Sequence, residues 1–331
     1  MAETKAKRKR KRSGQSFPIS AAARTFNPRD ISRLSEDEAY AYFVRLRFKD
    51  NDGKAQCPHC GCGACYEYRS RRKFKCIACE RQFSATTKTE FASRKLSFRQ
   101  ILELLVEFAI PAKGVSAVEV SKNLGVSYRT AFYRLHALRR GMQRSQEGTV
   151  FNTPVDIDGA EFGGYIKPKN VKLENKDHRR VPYRSTKKQV VGVIRERRRG
   201  GRTRVVVAKT EGLAAKLMPK FIKRGTRIYA DMGKGFNFMN ADYPMRRIKH
   251  LVEYWKKPNI HTNNAECFFS MLRRAERGIY HHIAGRYLEG YAAEMAWRQD
   301  RRRTDTKTVF EELCVAAVAI CCPAGRSPSI A

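Results

Sequence analysis

Three acidic residues, Asp158, Asp231 and Glu266, stand where they could hold hard cations. Carboxylate oxygens drawn from separate elements make a site suited to Mg²⁺. Two such ions, about 3.5–4 Å apart, would activate an attacking hydroxyl and stabilise a leaving oxygen in in-line phosphoryl transfer. Arg273 follows Glu266 by seven positions and could clamp a phosphate bidentately.

A second constellation is made of sulfur. Of ten cysteines, six fall between Cys57 and Cys79. Cys57-x-x-Cys60 and Cys76-x-x-Cys79 are separated by 15 residues, basic and aromatic in character. Each CxxC forms a knuckle that aims two thiolates at one point, and two knuckles complete a tetrahedral Zn²⁺ site. Such a closed site is structural, holding together a module too small for a core of its own. Cys62 and Cys65 form a third CxxC, so either could join the site. Pro58 and Gly61 suit the knuckle turn and favour Cys57 and Cys60.

These residues need elements to position them. Thr153 to Asp158 alternates as a strand does, and the pattern ends at Gly163-Gly164. Gln189–Ile194 and Arg204–Ala208 read as two further strands, Glu211 to Lys223 as a helix, and Arg227–Ala230 as a fourth strand delivering Asp231. Asp158 and Asp231 are each expected to close an apolar strand, where a carboxylate reaches solvent while its backbone stays fixed. Asp156 shares the face of Asp158 and is either an alternative first acid or its support. His261–Arg274 reads as a helix on which Asn263, Glu266, Ser270 and Arg273 share one face. Three strands, a helix, then a strand is the order of an RNase H-like α/β sheet. His250, His261, His281 and His282 fit DNA contacts or structural hydrogen bonds better than metal ligation. Tyr287, Leu288, Tyr291, Met295 and Trp297 read as helix core.

The front of the chain reads differently. Residues 1–28 carry the run Lys7–Arg12 and should stay unpacked. Ser35 and Glu38 form a capping box before a helix with Ala39, Tyr42, Phe43 and Leu46 on one face. Ile101, Leu104, Leu105 and Phe108 make an apolar stripe. Ser116 and Ser127 can cap two helices, with Gly125 at the sharp turn between them, the pattern of a helix-turn-helix. Its second helix would expose Tyr128, Arg129, Tyr133 and Arg134 to DNA. Val309 to Cys322 should form a short helix on the catalytic domain, and Pro323 to Ala331 should be disordered. The expected organisation is multidomain α/β. A basic tail (1–28) precedes an N-terminal helix and zinc ribbon (29–90) and a helix-turn-helix (91–148). An RNase H-like domain of retroviral-integrase type (149–305) and a C-terminal helix and tail (306–331) follow.

Composition points the same way. Among 331 residues, 68 are Lys or Arg and 32 are Asp or Glu, a formal charge of +36. That charge repels itself unless a polyanion is near, and nucleic acid gains most from it through phosphate contacts and counterion release. No apolar stretch approaches the roughly 20 residues that span a bilayer, and no secretory signal is visible. A cytoplasmic protein is expected, associated with the nucleoid if the host is bacterial, with double-stranded DNA as partner and no membrane.

The chain resembles bacterial insertion-sequence transposases of the DDE class with an N-terminal zinc ribbon, the ISXO-type branch. The resemblance runs from about Ser35 to Arg303. It rests on CPHCG at 57–61, VDIDGAEFGG at 155–164, YAD at 229–231, HTNNAE at 261–266, LRRAERGIYHH at 272–282 and the Arg-rich helix end to Arg303. It implies Asp158, Asp231 and Glu266 as catalytic acids, Arg273 as the basic residue after them, and Asn263 as an alternative third residue. It also implies binding to terminal inverted repeats, strand cleavage and transfer to target DNA, and a homo-oligomer on DNA. The sequence departs from the family pattern with Gly159 in place of Glu, Phe269 in place of Trp and Arg273 in place of Lys. Two other readings share much of this evidence: a DNA-binding regulator whose catalytic domain is inactive or co-opted, and a nuclease that cuts without joining.

Overall fold

The computed structural model describes residues 16–163, 188–232, 234–248 and 261–319. The basic run at 7–12, His250 and the segment 323–331 lie outside them.

The first helices form where their caps dictate. After α1 (Pro28–Ser32), α2 (Glu36–Arg47) starts at a full capping box: Ser35 Oγ accepts from the Glu38 amide and Glu38 Oε2 from the Ser35 amide at 2.8 Å. Its buried face is Ala39, Phe43 and Leu46. A small antiparallel sheet follows in the order β1 (Cys65–Tyr68), β2 (Lys73–Cys76), β3 (Gln82–Ser84). Phe74 and Phe83 stack at 5.4 Å on its inner face, and Phe48 meets Phe74 edge-on. A second capping box, Ser97 with Gln100, opens α3 (Phe98–Ala109). Ser116 and Ser127 cap α4 (Ala117–Asn123) and α5 (Tyr128–Ser145). Gly125 lies between these two with φ +63°, a left-handed conformation that a side chain would strain.

The second half is built on a five-stranded sheet. Its order is β6 (Thr203–Ala208), β5 (Gln189–Glu196), β4 (Val155–Phe162), β7 (Ile228–Asp231), β8 (Met245–Ile248). β4, β5 and β6 run antiparallel, whereas β7 and β8 run parallel to β4 and to each other. The edge strand β8 is absent from the sequence reading. Met-Arg-Arg-Ile is short and charged, as exposed edges are. α6 (Glu211–Leu217) is shorter than expected, because Pro219 follows and the chain tightens into a 3₁₀ turn.

Strand alternation sorts the side chains to two faces. Val155, Ile157, Ile194, Ile228 and Ala230 pack toward Ala215 and Met218 on the α6 side. Ala160, Phe162, Val191 and Val193 pack against α7 (Asn263–Ala275) and α8 (Gly285–Asp300), which are joined through a π-helical turn at Glu276–Tyr280. Leu288, Tyr291, Met295 and Trp297 are buried, as expected of helix core.

α9 (Thr306–Val318) corrects one expectation. It packs not on the large sheet but on the front module, where Phe310, Leu313, Cys314 and Ala317 share a core with Phe43, Leu105 and Leu138. Phe26 stacks on Phe310 at 5.0 Å. Apolar periodicity gives a helix its buried face but not its partner. Among the described residues, no helix is long and apolar enough to cross a membrane.

Candidate active site and metal centre

The four sulfurs of Cys57, Cys60, Cys76 and Cys79 all lie within 4.8 Å of one another. Cys57 and Cys79 Sγ are 3.6 Å apart, and Cys60 and Cys76 Sγ 3.5 Å. A tetrahedral zinc with bonds of about 2.3 Å spaces its sulfurs roughly 3.8 Å apart, so the cluster fits that ion. The electrostatics agree. The Cys79 amide donates to the Cys76 sulfur and brings its pKa down to about 6. The Cys62 amide pulls Cys60 down, but the Cys76 sulfur and its neighbours push it up to about 12. Four crowded thiols cannot all ionise without a cation among them. Cys62 and Cys65 stay outside the cluster; Cys65 opens β1 opposite Cys76.

Asp158 is in the middle of β4, not at a strand end. β4 continues to Phe162 along β5, but its pairing with β7 covers only Val155–Ile157 against Ile228–Ala230. Asp158 and Asp231 are therefore the next positions on two parallel neighbours, where the ladder stops and the sheet opens. Both point to the face that carries α7. Burial raises the Asp158 pKa and the charges of Asp231, Glu211 and Glu266 add to it, against the Gly159 amide, to a value of about 6.

Glu266 comes from the first turn of α7. That turn is fastened to β4 by Asp156, which is fully buried. Asn264 Nδ2 donates to Asp156 Oδ2 at 2.8 Å, and Arg197 bridges Asp156 to the His261 carbonyl, the latter at 2.6 Å. His261 Nε2 lies 3.1 Å from Arg197, a structural hydrogen bond of the expected kind. Asp156 is thus taken up by Arg197 and Asn264 at the α7 start. Thr262 Oγ1 donates to Glu266 at 3.4 Å.

Asp158 and Glu266 line a cleft of about 700 Å³ together with Ser270, Arg273, Arg274 and Arg277. Arg273 stands 5.9 Å from the Phe162 ring centre. Asn263 shares the helix face but is exposed in the first turn and does not line the cleft. Arg277 was missed because the sequence reading ends the helix at Arg274. The turn continues through Glu276–Tyr280 and carries Arg277 onto the same face. Asp158, Asp231 and Glu266 stand further apart than the cysteine ligands do. A donor set of carboxylates alone fits a hard divalent ion.

On α5, Tyr128 and Tyr133 are 55% and 42% exposed and Arg129 is exposed. Arg134 is not presented to solvent as expected. Its Nη1 donates to the Glu90 carbonyl at 2.8 Å, holding α5 to the connector after the ribbon.

Residues 150–300 match the family model of the ISXO2-like transposase domain, and residues 34–82 match that of the transposase zinc-ribbon domain. No curated protein and no solved structure matches the chain.

Proposed function

The chain belongs to the ISXO2-like transposase family, and from that premise we propose that it binds the terminal inverted repeats of an insertion sequence, cleaves a DNA strand there and transfers it to target DNA. The observation that carries this reading is that Asp158 and Asp231 stand at adjacent positions where β4 and β7 part, with Glu266 beside Asp158 in an arginine-lined cleft.

In this reading the sheet order β6-β5-β4-β7-β8 is that of an RNase H-like domain. Asp158, Asp231 and Glu266 hold Mg²⁺, two ions in the full site. The bound cation supplies Lewis-acid stabilisation of charge on phosphate oxygens. Arg273, Arg274 and Arg277 seat the phosphodiester. A water oxygen bonds to phosphorus as the bond to the 3′ oxygen breaks, leaving a 3′ hydroxyl. That hydroxyl then attacks a target phosphodiester, displacing its 3′ oxygen. Asp156 and Arg197 keep Glu266 in register by holding the α7 start.

The front module selects the site. α4 and α5 act as a helix-turn-helix with Tyr128, Arg129 and Tyr133 toward DNA, beside the zinc ribbon. Two element ends joined in one event call for a homo-oligomer on DNA.

The test uses the full chain with Mg²⁺ and a labelled duplex carrying the ends that flank its gene, beside a Glu266→Gln variant. Nicks at the boundary and joined products, both lost in the variant, support a transposase. Tight binding with no cutting in Mg²⁺ or Mn²⁺ overturns it in favour of a DNA-binding regulator, and nicks without joining favour a nuclease.

A further inference from the structure

We infer that Glu211 is a fourth carboxylate of the divalent-cation site, reaching it around the open edge of the sheet. This rests on the acid-site reading above and deepens it.

Glu211 is the first residue of α6, set by the Thr210 cap on the face of β4 opposite α7. Two glycines make room for it. A Cβ at Gly159 would lie 3.3 Å from Glu211 Cγ and 3.5 Å from its Oε1. A Cβ at Gly235 would lie 3.2 Å from the same Cγ. Gly159 directly follows Asp158, and Gly235 follows β7 closely. The Glu211 stem therefore runs over the point where β4 loses β7 as a neighbour, beside both strand acids.

The company it keeps is the second observation. The chain has 68 basic residues, and most of its other shielded acids pair with them, Glu107 and Glu276 being exceptions. Glu36 meets Arg72, Glu90 meets Arg140 and Arg144, Asp156 meets Arg197, Glu196 meets Arg198 and Arg202, Glu294 meets Arg139 and Arg298, and Asp300 meets Arg195. Among the described residues no ion pair forms at Glu211, Asp158 or Asp231. Burial raises the Glu211 pKa, and the Asp231 and Glu161 charges raise it further. Carboxylates left together without an ion pair, in a chain this basic, leave room for a cation that is not a side chain.

The measurement is Mn²⁺ binding to the zinc-loaded full chain without DNA, by water-proton relaxation, followed by the Mg²⁺ dependence of cleavage. Glu211→Gln should weaken Mn²⁺ binding about tenfold or more, as loss of one anionic ligand does. It should raise the half-saturating Mg²⁺ for cleavage by a similar factor. Before any Mg²⁺ is added its Tm should rise, because one like charge has left the group. Moving the carboxylate, in Gly159→Asp with Glu211→Gly, should restore part of the Mn²⁺ affinity. Unchanged Mn²⁺ affinity with a lowered Tm would make Glu211 an ordinary acid at a helix start and overturn the inference. If Asp231→Asn also leaves Mn²⁺ affinity unchanged, the acid-site reading itself fails. If Asp231→Asn weakens it and Glu211→Gln does not, only the fourth ligand is lost.

Discussion

Arg139 Nε donates to Glu294 Oε2 at 2.7 Å with both side chains closed off from solvent. The bond ties α5 to α8, and so the front module to the sheet domain. Arg298 completes it: Nε donates to Glu294 Oε1 at 2.9 Å, while its Nη atoms reach the Pro111 and Phe108 carbonyls at 2.7 and 2.5 Å. The Tyr280 hydroxyl is a third partner of Glu294, at 3.1 Å. Removing the acid strands two buried guanidiniums, which costs about 3–5 kcal/mol. Glu294→Ala should therefore lose that much stability in urea unfolding; a loss below about 1 kcal/mol would mean that the seam relaxes without it.

The zinc ligands give a cleaner separation. Cys76→Ser should drop zinc from one ion per chain to none and unfold the ribbon, because the metal supplies its folding free energy. Cys62→Ser and Cys65→Ser should keep the full ion, since both sulfurs lie outside the cluster. Metal content by atomic absorption decides it, and loss of zinc in either of the latter would reassign the ligands.

The acid site should respond to pH in a defined sense. Asp158 titrates at about 6 in the folded chain, against about 3.9 when unfolded. A carboxylate with a raised folded pKa opposes folding once ionised. That cost is absent below about pH 4, grows as pH rises through 6, and is fully present above it. Asp158→Asn should flatten the stability profile across that window and raise Tm at pH 7. Cleavage at limiting Mg²⁺ should fall as pH drops through about 6, and added Mg²⁺ should move this limb to lower pH. A profile independent of Mg²⁺ would detach Asp158 from the metal.

On α5, Arg129→Ala should weaken DNA binding and lower the slope of log K against log salt by about 1. Arg134→Ala should leave that slope unchanged and lower stability instead, because its guanidinium is spent on the Glu90 carbonyl. Salt titrations of binding separate the two, and equal slopes for both variants would refute the distinction.

The sequence discloses whatever depends on local spacing. Ser35 with Glu38, the two CxxC knuckles and the alternation of β4 are local rules, and each is present in the structure. The elements bearing Asp158, Asp231 and Glu266 are legible for the same reason. What stays hidden depends on neighbours. That Asp158 lies mid-strand follows from where β7 stops pairing, which no property of β4 reveals. The role of Asp156 depends on Arg197 and Asn264, 41 and 108 positions away. The placement of Glu211 depends on two glycines that look like ordinary turn or strand residues. The partner of α9 is set by a core assembled from both ends of the chain.

That shared core orders events at the ribosome. Residues from Ile31 to Met142 meet Phe310 and Leu313 only after the whole strand-bearing segment has emerged. A nascent chain stopped before α9 would leave the sides of Phe43, Leu105 and Leu138 bare, and each buried side chain of this size is worth about 1.5–3 kcal/mol. The front module thus completes its core last, although it is made first. A completed front core therefore reports that everything between its two halves of the chain has already been synthesised.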